Sequence, residues 1–153
     1  MKALLKFLLI CLGFGTAASC DMGTVEYGTP HADYEAKGRV TDTEGNPLPG
    51  IKVQMLEDYD VDSAGGIKLY PMYSEEDVLT DESGYFHIRN SGFSRETLSI
   101  GFSDIDGEEN GGEFAVKVVT ESLEQVEEGE GWNEGTFIVP EEMEVVLERK
   151  TEE

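Results

Sequence analysis

Apolar and polar residues alternate in short runs along most of this chain, and clusters of Gly, Pro, Asp and Asn separate the runs. From Tyr34 to Thr41, Ala36, Gly38 and Val40 fall on one side and Lys37, Arg39 and Thr41 on the other. That period of two predicts a strand with one buried face. Asp42 to Gly50 reads as a turn: Asp42 and Asn46 are turn formers, Gly45 accepts positive φ, and Pro47 and Pro49 stop the strand. Ile51 to Leu56 alternates again, with Ile51, Val53 and Met55 inward and Lys52 and Gln54 outward. Asp58 to Asp77 predicts a long connection holding one short edge strand near Ile67 to Tyr70. Val78 to Thr80 is the next strand, and Asp81 to Gly84 is its turn.

Tyr85 to Arg89 follows, with Phe86 and Ile88 in the core and Tyr85, His87 and Arg89 outside. Asn90 to Ser94 breaks the pattern, and Thr97 to Ser103 resumes it with Leu98, Ile100 and Phe102 inward. Phe114 to Thr120 and Phe137 to Val139 are further strands, and Met143 to Glu148 closes the sheet with Met143, Val145 and Leu147 inward. Ser122 to Glu134 is dominated by Glu and Gly and predicts a mobile segment, with Trp132 folding back as a lid. Helical periodicity is nearly absent and no internal repeat stands out, so the expected class is all-β, a sandwich of short strands.

The first residues belong to something else. Lys2 and Lys6 supply positive charge, Leu4 and Leu5 with Phe7 to Phe14 supply a short apolar run, and Thr16, Ala17, Ala18 and Ser19 supply small residues before Cys20. These are the parts of a secretory signal, and the run is too short for a membrane span of roughly 20 residues. Residues 1–19 are therefore expected to form a signal helix, 20–33 a tether and 34–150 the sandwich, in a chain of 153 residues that is long enough for one real core. Cleavage before Cys20 resembles bacterial lipoprotein processing, although Ala17 stands where Leu is commonest. That resemblance implies acyl chains of the palmitate type on Cys20 and an anchor in the envelope of a Gram-negative bacterium; the outer membrane is the expected site, although Asp21 after the cysteine favours inner-membrane retention by the enterobacterial pattern. Cys11 leaves with the signal, so the domain has no disulfide and must rely on packing.

Charge narrows the partners. The chain carries a formal −22, with 33 Asp and Glu against 11 Lys and Arg, and loss of Lys2 and Lys6 leaves 9 against 33, or −24. A phosphate backbone is repelled, which excludes nucleic acid. Cations, or basic surfaces on another protein, are the natural counterparts.

One loop looks chemical. Asp104, Asp106, Glu108 and Asn110 recur two apart on a backbone loosened by Gly107, Gly111 and Gly112, which is how hard cations such as Ca2+ gather oxygen ligands. It is not an EF-hand, because Gly falls at the fourth position rather than the sixth. Asp58, Asp60 and Asp62 form a second candidate, and His31 with Asp33 a two-ligand site too poor for zinc. No nucleophile elbow or Ser-His-Asp order is present, and a glycosidase pair among the many carboxylates would need a cleft, so no catalytic residues are assigned.

Two family resemblances follow from these residues. The pattern G-x-V-x-D-x-x-G-x-P-L-x-G-I-x-V from Gly38 to Val53, with T-D-x-x-G-Y-F at Thr80 to Phe86, resembles the carboxypeptidase regulatory-like domain family. It covers about Ala36 to Phe102 and implies a seven-stranded transthyretin-like, immunoglobulin-like sandwich that is a scaffold without catalytic residues. The loop D-x-D-G-x-x-N-G-G-x-F from Asp104, together with Tyr27-Gly28-Thr29-Pro30, Trp132 and the Val145 to Lys150 end, resembles the radical SAM-associated lipoproteins of Bacteroidetes-type bacteria. That likeness implies a radical SAM protein encoded nearby, with this chain as its substrate or accessory. The expected function is a lipid-anchored, non-catalytic envelope module of binding or structural type, with a protein or glycan partner.

Overall fold

The computed structural model describes residues 28–74, 77–109 and 112–150. The signal helix, Cys20, Asn110 and most of the expected tether lie outside the described residues. Among the described residues ten strands are present: β1 (His31–Thr41), β2 (Ile51–Val61), β3 (Ile67–Pro71), β4 (Val78–Leu79), β5 (Tyr85–Phe93), β6 (Thr97–Asp104), β7 (Lys117–Ser122), β8 (Glu124–Glu128), β9 (Asn133–Ile138) and β10 (Met143–Val146). They make two five-stranded sheets packed as an all-β sandwich.

Each sheet is built on one 11-residue strand. In the first sheet β5 runs antiparallel along β1 from His31 to Arg39. With that edge taken, the other edge of β1 is shared end to end by two parallel strands, β9 along His31 to Glu35 and β10 along Gly38 to Thr41. β8 pairs outside β9. In the second sheet β6 takes one edge of β2, β7 pairs beyond it, and β4 and β3 share the other edge.

The inward residues are those the alternation predicts. Ala36, Val40, Ile51, Val53, Met55, Phe86, Ile88, Leu98, Ile100, Phe102, Met143, Val145 and Leu147 are all buried in one core. Burying each large member contributes about 1.5–3 kcal/mol. Phe86 and Phe102 meet edge to face across the sandwich, with centroids 5.4 Å apart at 68°. Gly38 lies where β10 passes closest: a Cβ there would stand 2.3 Å from the Met143 carbonyl oxygen, so no other residue fits without moving β10.

Several boundaries differ from expectation. β1 begins at His31 rather than Tyr34, because Ala32 is fully buried and its neighbours pair with β5 as far as Phe93. The predicted tether therefore ends three residues early, and His31 and Asp33 belong to the sheet. β2 runs to Val61, and Asp58 to Val61 with β3 form an arm rather than a loop. Phe114 is buried but makes only an isolated bridge to Arg149, so the strand predicted from it starts at Lys117. Glu124 to Glu128, read as part of a mobile segment, pairs with β9 through backbone bonds while every residue stays exposed. The arm and this acidic edge bring the strand count above seven. Trp132 does not act as a lid. Its carbonyl accepts from His31 N–H at 2.9 Å, and a Cβ on Gly28 would stand 3.0 Å from its Cδ1, so it braces the chain entering β1.

Three turns share one design. Asp42, Asp62 and Asp81 each begin a D-x-x-G segment, and the Gly takes φ of 85°, 85° and 74°. In each, one Asp Oδ1 accepts the N–H groups two and four residues on, at 2.8–2.9 Å: from Glu44 and Asn46, Ala64 and Gly66, and Ser83 and Tyr85. The Gly N–H returns to the Asp carbonyl at 2.8–3.1 Å. The side chain thus replaces ladder partners that the bend removes.

Two polar residues tie the layers together. Thr80, buried, donates its hydroxyl to Leu48 O at 2.6 Å and accepts from Ile51 N–H at 2.9 Å. Arg95 donates to Leu56 O and to Glu57 in the second sheet, donates to Phe93 O in the first, and lies 5.6 Å over the Tyr34 ring. Tyr34 itself is buried and donates its hydroxyl to Phe93 O at 2.8 Å.

Candidate functional site

The outer face of the first sheet carries a trough of about 950 Å³, open to solvent. Strand alternation builds it. Since Ala32, Tyr34 and Ala36 face the core, Asp33 and Glu35 must face out, and the register sets Ser91 opposite Asp33 and Arg89 opposite Glu35. On the other side Thr136 stands beside Asp33 and Ile138 beside Glu35, and Glu127 of β8 completes the row.

The polar side chains form three fixed groups. Asp33 accepts from the Ser91 hydroxyl and, at 3.2 Å, from Asn133 Nδ2. These two hydrogen bonds, with His31 nearby, hold its carboxyl below the ordinary value of 3.8. Glu35 takes His87 Nε2 at 2.8 Å on one oxygen and Arg89 Nε and Nη2, each at 2.9 Å, on the other. The His87 hydrogen bond first, and the Arg89 charge after it, hold this carboxyl below 4.5. Glu127 accepts from the Thr136 hydroxyl at 3.1 Å. At the rim, Asn90 Nδ2 donates to Tyr73 O at 2.9 Å and fixes the backbone of a residue that is 83% exposed.

The residues singled out in the sequence are placed elsewhere. Asp104 turns both carboxylate oxygens onto its own loop: Oδ1 accepts from Asp106 and Gly107 N–H at 3.1 and 3.2 Å, and Oδ2 from Phe114 N–H at 3.0 Å. It opens a fourth D-x-x-G segment, and Gly107 has φ 69°. Glu108 is exposed, and Asn110 lies outside the described residues. The far side of the loop is held by Lys150 on Glu113 at 2.6 Å and by the Arg149 guanidinium beside Gly112. Asp60 accepts from the Tyr70 hydroxyl at 2.8 Å, Asp62 caps its turn, and Asp58 accepts from Tyr59 N–H. His31 Nδ1 contacts Thr29 O at 3.3 Å, while Asp33 joins the trough. Among the described residues no three His, Cys, Asp or Glu side chains converge as a metal would require.

Reading the sequence missed the trough because most of its residues are scattered over the outward positions of four strands, β1, β5, β8 and β9. The one available signal was the outward row Tyr85, His87 and Arg89, which put two basic side chains on the polar face of a strand.

No family model matches the chain, and no curated protein matches it. Among solved structures, the chain is similar to the crystal structure of a 3-chlorocatechol 1,2-dioxygenase from Rhodococcus opacus, at 13% identity and a TM-score of 0.42. The likeness covers 80% of this chain and 61% of that one, so the chain spans about three-fifths of the dioxygenase's length.

Proposed function

We propose that this chain is a non-catalytic binding module of the cell envelope, anchored by acylation of Cys20, with the trough on the first sheet as its ligand face. The observation that carries the binding role is the arrangement of Asp33 and Glu35. Both are oriented by two partners, and both are held below their ordinary pKa values. Glycoside cleavage needs one carboxyl that keeps its proton near neutral pH, and this pair has environments that push the same way. Fixed, ionised acceptors on a rigid sheet suit recognition instead. The anchor is supported by the apolar run that ends in small residues before Cys20.

Labelling of expressing cells with an alkyne fatty acid tests the anchor. The expected result is a labelled wild-type band and none for Cys20→Ala, and equal labelling of the two removes the proposal. The ligand face is tested by substituting Arg89→Glu, which is expected to abolish ligand retention while the fold, read by circular dichroism, is unchanged.

A further inference from the structure

We propose that the trough binds a neutral glycan chain, an inference that rests on the binding-module reading above. The chemistry of its floor is that of a surface for hydroxyl groups. A carboxylate offers about four acceptor sites. Asp33 uses two on Ser91 and Asn133, and Glu127 uses one on the Thr136 hydroxyl, so acceptors are left for sugar O–H donors. Arg89, whose side chain is 69% exposed, gives Nε and one Nη to Glu35 and retains further N–H donors for ring and hydroxyl oxygens. A sugar hydroxyl both donates and accepts, and this floor presents both kinds of group at fixed spacing. Hydrogen bonds of this kind, with one charged partner, are the stronger class.

The second requirement is a flat apolar surface for the C–H faces of the sugar rings. Tyr73 supplies an exposed ring at the rim, on a backbone fixed by Asn90, and Val126 and Ile138 add aliphatic surface beside the polar row. The size agrees: the trough, open to solvent, is at the upper end of the roughly 300–1,000 Å³ range of small-ligand sites.

Charge decides between ligand classes. An anionic chain meets the field of a protein with a formal −22. A cationic chain is drawn by the same field and by the acceptors left on Asp33 and Glu127, but it meets the Arg89 guanidinium inside the trough, where Glu35 is already paired with Arg89 and His87. A neutral chain uses both acceptors and donors without either cost.

The test uses the full chain purified in detergent and calorimetry with three probes of one length: a neutral glucan or mannan oligosaccharide, an oligogalacturonate and a chitosan oligomer, each to about 1 mM, the weak end of specific recognition. A basic peptide is the fourth probe. The expected result is binding of a neutral oligosaccharide, weakened about tenfold by Tyr73→Ala, which loses the stacking surface. The melting temperature of that variant should not change, since the ring is exposed. Arg89→Glu should remove binding. Preference for a charged saccharide, or a neutral affinity untouched by Tyr73→Ala, overturns the glycan assignment. Binding of the basic peptide alone, strengthened in Arg89→Glu, overturns the glycan assignment but leaves the trough standing as a ligand face. Binding of none of the four overturns the assignment and removes the trough as a ligand face.

Discussion

The turns at Asp62–Gly65 and Asp81–Gly84 are the same object in two settings. Each has an Asp oxygen on two backbone N–H groups, a Gly with positive φ and a closing bond to the Asp carbonyl. The first tips an exposed arm, and a Cβ on Gly65 would meet nothing within 4 Å. The second crosses from β4 to β5 between the sheets, and a Cβ on Gly84 would stand 2.3 Å from Val40 O. Local sequence decides the shape of a turn. What the turn contributes to stability is decided by what is packed against it.

Gly84→Ala breaks this contrast hardest. Left-handed strain and a backbone clash together predict a loss of roughly 2–5 kcal/mol by urea denaturation. Gly65→Ala has the strain without the clash and should lose only about 1–2 kcal/mol. Equal losses would show that packing is irrelevant to the difference.

Removing the cap is gentler. Asp81→Ala should lower the melting temperature clearly and Asp62→Ala much less, because fraying of the arm leaves the core intact. Acid sharpens the same point. Hydrogen bonds from the side chains of Asn46 and Ser83 hold Asp42 and Asp81 below their ordinary value of 3.8. The unfolded chain therefore takes up these protons first, and the stability they contribute above that pH is lost as pH falls through the folded values. Asp81→Asn should show a shallower decline below pH 3.8 than wild type in acid melts. The smallest effect belongs to the arm: Tyr70→Phe loses an exposed hydrogen bond to Asp60 and should stay within about 0.5 kcal/mol of wild type.

The interior was legible because alternation writes it directly. Phe86 and Ile88, Leu98, Ile100 and Phe102, and Met143, Val145 and Leu147 all face in as their spacing predicts. Strands that bury little leave no such trace. Glu124 to Glu128 is wholly exposed and buries no apolar side chain, so its composition resembles a linker. Asp58 to Val61 alternates, but its acidic positions suggested ligands rather than a strand. The trough was illegible for a different reason: nothing in the residue order says that β9 will lie parallel to β1 and bring Thr136 to Asp33. The recurring D-x-x-G segments were in plain view, but without geometry an Asp that caps a turn cannot be told from one that binds a cation.

The sharing of one edge of β1 by β9 and β10 also sets the order of assembly. Gly38 finds its partner Met143 only after nearly all the intervening chain has been made. Contacts so distant in sequence slow folding, since loop closure precedes any return from pairing. The second sheet, β2 with β3, β4, β6 and β7, pairs without residues beyond Ser122 and is free to form first. The first sheet waits for its last strand, and until then one long edge of β1 stands open to other chains.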